Sequence, residues 1–282
     1  MNWAYQSIPE LSDSEFDTWQ NLLEQRTGIS FERHKQILQT GLGQRMREVG
    51  CLDYGQYFRQ ICYGKGGALE WEALLKTLTV KETRFFRDED AFEYVRKYLF
   101  NRLVRPDADK TLEIWSVACS TGEEPYSMAM LANDTIEGLG GSKYYGITAT
   151  DICLASLADA RAGKFGERRV DGIESSMRDR YFVHQDGRYK IVDWLREKIC
   201  FVQANIIELG HLPIAQQDVV YCQNVLVYFR RWRQHQVLDE LAARLKPGGL
   251  LVLGSGEGAG WVNPSVRRAD DDTVQAYIKI AS

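Results

Sequence analysis

Near Thr111 the period of the hydrophobic pattern changes, and this limits the possible folds of the chain more than any other feature. Upstream, apolar residues recur at helical spacing. Downstream, short apolar runs alternate with helical segments. Residues 112–118 read as a strand, and Pro125 opens a helix through Met130. Residues 144–150 form the next strand, ending at Asp151, and a helix over 154–162 is stopped by Gly163. Strands over 199–202 and 218–222 follow, then a helix over 233–245, a Lys246-Pro247-Gly248-Gly249 turn, a strand over 250–254 and a last strand over 274–280. Strands that alternate with helices predict an α/β fold with a doubly wound, mainly parallel sheet. One segment breaks the alternation. Residues 181–185 and 188–192 flank Asp186-Gly187, a two-residue turn signal that predicts a small inserted β-hairpin.

The first 80 residues lack strand signals and read as a separate helical domain. Ser12 with Glu15 is a capping-box pair, and Gly28 suits a helix stop. Between them Phe16, Trp19, Leu22 and Leu23 share one helical face. A second helix over 34–49 ends before Gly50, with Leu38, Leu42, Met46 and Val49 on its apolar side. Lys35, Arg45 and Arg47 lie elsewhere on it. Two shorter helices over 54–63 and 69–79 are separated by a Gly64–Gly67 break. The expected organisation is a helical domain over 1–80, a linker and helix over 81–110, and an α/β domain over 111–282 with a β subdomain near 180–195.

Composition narrows the function classes. The net charge of −4 argues against a nucleic-acid substrate, which usually demands a basic footprint. No run approaches the ~20 apolar residues that span a bilayer. Met1–Glu10 has neither a basic nor an apolar signal-peptide region, so a cytoplasmic location is expected. The 6 cysteines and 4 histidines are scattered, without metal-ligand spacing, and the thiols are expected to be reduced and mostly buried.

Ligands of open α/β sheets bind outside the carboxyl ends of the strands. Three such ends here carry polar groups: the loop from Ala118 to Pro125, Asp151, and Gln223-Asn224-Val225. The first loop holds one glycine and two adjacent carboxylates, Glu123 and Glu124. A pyrophosphate would be repelled there. S-adenosylmethionine, with an ammonium, a sulfonium and no phosphate, suits the loop better than NAD. An acid at Asp151 can accept hydrogen bonds from ribose hydroxyls.

At these residues the chain resembles the CheR-type methyltransferases. Ser120-Thr121-Gly122-Glu123-Glu124-Pro125-Tyr126-Ser127 is similar to the family's S-T-G-E-E-P-Y-S loop. Lys81-Glu82-Thr83-Arg84-Phe85-Phe86-Arg87 resembles its N-x-T-x-F-F-R segment, and Ala149-Thr150-Asp151-Ile152 its post-strand aspartate. Residues 222–229 resemble C-R-N-V-x-x-Y-F, and Leu245-Lys246-Pro247-Gly248-Gly249-Leu250 with Gly254 and Glu257 resembles its last strand and following loop. The segments occur in the family's order. The departures are Lys81 for the usual Asn, a bulkier Arg84, Gln223 for a common Arg, and Ser255-Gly256 for His-Ser.

The resemblance implies a class I, Rossmann-like S-adenosylmethionine methyltransferase that esterifies glutamate side chains of chemotaxis-type receptors and releases S-adenosylhomocysteine. A type IV pilus or surface-sensing branch is compatible with it. By position, Thr83 and Arg87 reach the cofactor from the linker, Glu124 holds its amino-acid end, and Asp151 its ribose. Asn205 and Ile206 border the adenine, while Asn224 and Val225 close the pocket. Glutamate is ionised near neutrality, with a pKa near ~4.3, and needs positioning rather than a general base. Arg87 and Tyr228 are the catalytic candidates; the alternatives are an Arg87 ion pair with Asp88 or Glu89, and a Tyr228 that is only a core aromatic. Lys35, Arg45 and Arg47 are the candidate docking cations for the receptor's cytoplasmic helices, against a merely solvated face. Two other functions stay open: a methyltransferase for another substrate, and a catalytically weak cofactor-binding regulator.

Overall fold

The computed structural model describes residues 9–79, 82–105 and 111–280. Four helices build the N-terminal domain: α1 (Asp13–Thr27), α2 (Lys35–Val49), α3 (Tyr54–Tyr63) and α4 (Gly67–Leu78). The Ser12–Glu15 capping box forms in both directions, and Gly28 ends α1 with φ 79°. Helix α4 starts two residues before the expected Leu69. The four pack around their own core, in which Trp19 stacks on Tyr57 at 5.3 Å over Leu23, Leu38, Leu42 and Leu74.

Arg45 belongs to the internal scaffold of this domain. Its guanidinium donates to Glu70 at 2.7 and 2.9 Å and also pairs with Glu48, while Tyr57 Oη donates to Glu70 Oε1 at 2.7 Å. Its side chain keeps 13% exposure. The expectation that Arg45 is a docking cation is therefore corrected: two acids and a phenol already surround its charge. Lys35 pairs with the exposed Asp13 at 2.6 Å, and Arg47 is exposed.

The α/β domain is a seven-stranded sheet in the order β6-β2-β1-β7-β8-β10-β9. Its strands are β1 (Thr111–Val117), β2 (Tyr144–Asp151), β6 (Ile199–Gln203), β7 (Gln217–Cys222), β8 (Leu245–Leu253), β9 (Val266–Arg268) and β10 (Gln275–Lys279). The first five pair in parallel, and β10 runs antiparallel between β8 and β9. Alternation along β1 feeds both faces. Leu112 and Ile114 join α5 (Glu89–Leu103) and α6 (Glu123–Gly138), whereas Trp115 and Val117 join α11 (Arg231–Ala243). Helix α6 opens two residues before Pro125, because a proline in the first helical turn sacrifices no intrahelical bond. The expected turn at 246–249 is absorbed into β8 as a register shift opposite Gln217–Val219, so α11 stops at Ala243. Strand β9 had no legible signal.

The predicted hairpin is present as β4 (Phe182–Gln185) and β5 (Arg188–Ile191), turned through Asp186 and Gly187 at φ 52° and 71°. A two-residue β3 (Lys164–Phe165) pairs with β5 and makes the subdomain three-stranded. Helices α7 (Leu154–Ala162), α8 (Glu167–Val170), α9 (Ser175–Tyr181) and α10 (Asp193–Arg196) complete the chain. Four cysteines are buried, Cys62 is intermediate and Cys200 is exposed. No helix among the described residues is long and apolar enough to cross a membrane.

Candidate active site

Chain order reverses between β1 and β7, since the path leaves β1 for β2 and β6 before returning to β7. At that switch point the carboxyl ends of β1, β2 and β7 meet, and two adjoining cavities open there. The larger, about 330 Å³, holds Asp151, Asn205, Ile206, Asn224, Val225 and Tyr228. The smaller, about 70 Å³, holds Thr83, Arg87, Glu124 and Asn224. Ala118, Ser120 and Asn224 border both. The residues expected at a cofactor pocket thus converge, but in two compartments.

The backbone around these compartments is unusual. Among the described residues five non-glycine residues have positive φ, and four of them are here: Phe86 (48°), Ala118 (58°), Ser120 (50°) and Asn224 (59°). L-residues pay a steric penalty in this region, and such strain collects at functional sites. Three of the four are held by side-chain acceptors. Ser127 Oγ accepts from Phe86 N at 3.0 Å, Asp151 Oδ2 accepts from Ser120 N at 2.8 Å, and Glu257 Oε2 accepts from Asn224 N at 3.0 Å.

Asp151 also accepts from Cys153 N at 2.8 Å, so each carboxylate oxygen takes one backbone amide. Asn205 caps the 3₁₀ turn Ile206–His211 and donates to Arg26 O at 2.8 Å. Its amide therefore ties the cavity wall to the end of α1. Glu257, 1% exposed, accepts from the amides of Gly254, Asn224, Leu226 and Val227 at 2.7–3.2 Å and shapes the loop that carries Asn224 and Val225. Burial raises its pKa against those four bonds.

The two loop acids differ. Glu123 is fully buried and ion-paired with Arg169, which also donates to Thr83 O at 3.0 Å. Arg169, unforeseen in the sequence, therefore clasps the linker to the acidic loop. Glu124 faces the small cavity and accepts from Ser116 Oγ at 2.7 Å. Burial pushes its pKa up to about 8; the Ser116 bond opposes the rise, Glu257 adds to it and Arg87 opposes it.

Arg87 is exposed at the mouth of the small cavity and donates to Glu82 O at 2.7 Å. Among the described residues it makes no ion pair with Asp88 or Glu89. Asp88 instead caps α5 through Ala91 N and accepts from Gln223 Nε2 at 2.9 Å. Phe85 and Phe86 anchor the linker into protein: Phe85 meets Phe165 and Phe182 edge-on at 4.9 and 5.5 Å, and Phe86 meets Phe92 at 5.1 Å. Tyr228 is half-buried; burial raises its pKa, with Arg87 opposing and Glu82 and Glu257 adding. Lys81 lies outside the described residues.

One wall was invisible in the sequence. Thr27, Ser30, Phe31, His34, Ile37 and Leu78 of the helical domain line the large cavity. An Ile29–Phe229 bridge, a Ser30 N–H donated to Tyr228 O at 2.8 Å, and Arg230 paired with Glu24 and Glu32 at 2.7 and 2.6 Å hold that wall in place.

Comparison with known proteins matches this architecture. Residues 81–268 match the family model described as CheR methyltransferase, SAM binding domain, and residues 14–79 match CheR methyltransferase, all-alpha domain. A chemotaxis protein methyltransferase 2 of Vibrio cholerae is 30% identical over 88% of this chain and 86% of that protein. A chemotaxis protein methyltransferase of Escherichia coli K12 is 30% identical over 88% of this chain and 85% of its own length. A probable biofilm formation methyltransferase, WspC, of Pseudomonas aeruginosa is 31% identical over 86% of this chain, which spans 56% of that protein.

Proposed function

This chain belongs to the CheR methyltransferase family, whose co-substrate is S-adenosylmethionine, and on that premise we propose that it esterifies glutamate side chains on the cytoplasmic helices of a chemotaxis-type receptor. The residues present suit the co-substrate. The large cavity offers mixed apolar walls and Asp151 for an adenosine, and the small one offers Glu124 for an ammonium. When bound, S-adenosylmethionine supplies a methyl group on a sulfonium.

Arg87 is the observation that carries the substrate reading. Its guanidinium stands at the small cavity with one hydrogen bond, to Glu82 O, and without an acid partner among the described residues. A guanidinium presents five donors in a planar fork. After the bond to Glu82, enough remain to hold a substrate carboxylate and orient one of its oxygens. Tyr228, a neutral phenol on the adjoining large cavity, is a second donor. A general base is unnecessary, because the acceptor is already an anion at neutral pH. Positioning by Arg87 and Tyr228 is the main contribution of these side chains. A protein acting on that part of a receptor works in the cytoplasm, and a net charge of −4 fits an acidic-residue substrate only through local cations such as Arg87, Lys35 and Arg47.

The test is transfer of a radiolabelled methyl group to purified cytoplasmic receptor fragments, followed by mild base. Labelled methanol released by base is the expected result, since only esters hydrolyse so readily. Label that stays on the protein through base, or no label on any receptor fragment, would overturn the reading.

A further inference from the structure

The small cavity contains a polar group that the acceptor chemistry leaves unused. Tyr221 is 1% exposed, lines that cavity, and stacks on Phe92 at 5.3 Å. Its hydroxyl has no hydrogen-bond partner among the described residues. A buried hydroxyl left without a partner costs the full desolvation of that group, whereas a phenylalanine in the same place would cost nothing of the kind. The hydroxyl therefore implies a ligand atom that meets it.

The charges nearby identify the atom. Glu124 and Asp88 both act on the phenol electrostatically, and with burial they hold its proton on. Two carboxyl groups therefore stand near the phenol, and an arriving cation can draw Glu124 into its ionised form. Asp88 is engaged by Ala91 N and Gln223 Nε2 and does not line the small cavity, whereas Glu124 does. Among the described residues Glu124 has a single donor, Ser116. An ammonium has three donors to place, and a neutral phenol oxygen has lone pairs to receive one. Arg87, across the mouth, is where a carboxylate would go instead.

We propose that the Tyr221 oxygen joins the Glu124 carboxylate as a second acceptor for the α-ammonium of the co-substrate's methionyl end. The proposal rests on the reading of the large cavity as the adenosine site. Neither composition nor motif spacing singled out Tyr221.

The experiment is calorimetric titration of the full chain and of Tyr221→Phe with three ligands. S-adenosylhomocysteine has both ammonium and carboxylate, decarboxylated S-adenosylmethionine has the ammonium alone, and 5′-methylthioadenosine has neither. The variant should bind the first two about 10- to 100-fold more weakly, as expected for a lost hydrogen bond to a charged group, and the third equally well. Loss confined to S-adenosylhomocysteine would assign the hydroxyl to the carboxylate and overturn the proposal, as would equal affinity for all three. A wild-type chain that binds none of them would fail the adenosine reading itself. Melting of the ligand-free proteins supplies the control. Tyr221→Phe should melt at or above wild type, because the desolvated hydroxyl is gone; a lower melting temperature would mean a structural role and overturn the proposal.

Discussion

Glu124 combines two demands at one residue: it must be an anion to hold an ammonium, yet burial pushes its pKa up to about 8. In the ligand-free protein it is therefore largely protonated at pH 7. Binding a cation should expel that proton, so co-substrate affinity should rise from pH 6 to pH 8. Calorimetry in buffers of different ionisation enthalpy should show proton release near pH 7 that disappears in Glu124→Gln. The stability effect has the opposite sign. The folded state holds the proton more tightly than the unfolded state, whose ordinary value is 4.5, so this group's contribution falls as pH rises from 4.5 to about 8. Glu124→Gln should flatten that slope in thermal melts of the ligand-free protein. Asp151→Ala should weaken S-adenosylhomocysteine by about 1.5–3 kcal/mol, the range for hydrogen bonds to charged groups; an unchanged dissociation constant would remove the ribose assignment. Arg87→Ala should lower kcat/KM for receptor methylation by about 10²-fold with little change in melting, because its side chain is exposed and bonds only a neighbouring carbonyl. Normal single-turnover rates would take Arg87 out of the site.

Among the elements, α2 divides its charges between scaffold and surface. Arg45 braces α2 against α4 through Glu70, with Tyr57 of α3 on the same carboxylate. Arg45→Ala should therefore destabilise the protein by about 1.5–3 kcal/mol and leave receptor KM nearly unchanged. Lys35 is different: its pair with the exposed Asp13 is a surface pair, typically worth 0–1 kcal/mol, which a receptor carboxylate can exchange at small cost. A Lys35→Glu, Arg47→Glu double variant should raise receptor KM at low salt, with the difference shrinking as salt screens it. A KM that matches wild type at every ionic strength would leave these two as solvated charges.

The molecule as a whole encloses its larger cavity only because two domains meet. Gly28 is a tight point of that meeting. Its φ is +79°, and a Cβ there would lie 2.3 Å from the Phe229 ring. Gly28→Ala would place an L-residue in the left-handed region, at about 1–2 kcal/mol, and push on the ring next to Tyr228. Lower melting together with weaker S-adenosylhomocysteine binding is the expected outcome in calorimetry. Lower melting with unchanged affinity would show that the helical domain is not needed as a cavity wall.

The sequence by itself determined the parts that local chemistry dictates. The apolar periods, the Ser12 and Gly28 caps and the Asp186-Gly187 turn each act within a few residues, so α1, α3, α7 and the β4–β5 hairpin were legible almost to the residue. The strand-end polar groups were legible too, because an open α/β sheet gathers its ligands at one edge whatever the loops do. What pairs at long range was not. Arg45 looked like a free cation on a helix, and only the packing of α4 brought Glu70 to it, 25 residues away. Arg169 and Thr83 are 86 residues apart, and the wall from α1 and α2 meets Tyr228 across about 200 residues of chain. The positive φ of Phe86, Ala118, Ser120 and Asn224 leaves no compositional mark, since ordinary residues are forced there by tertiary contacts. The buried hydroxyl of Tyr221 is the same kind of fact: along the chain it is an aromatic in a strand, and only the assembled sheet, with Phe92 and Glu124 beside it, turns it into a polar group that needs a ligand.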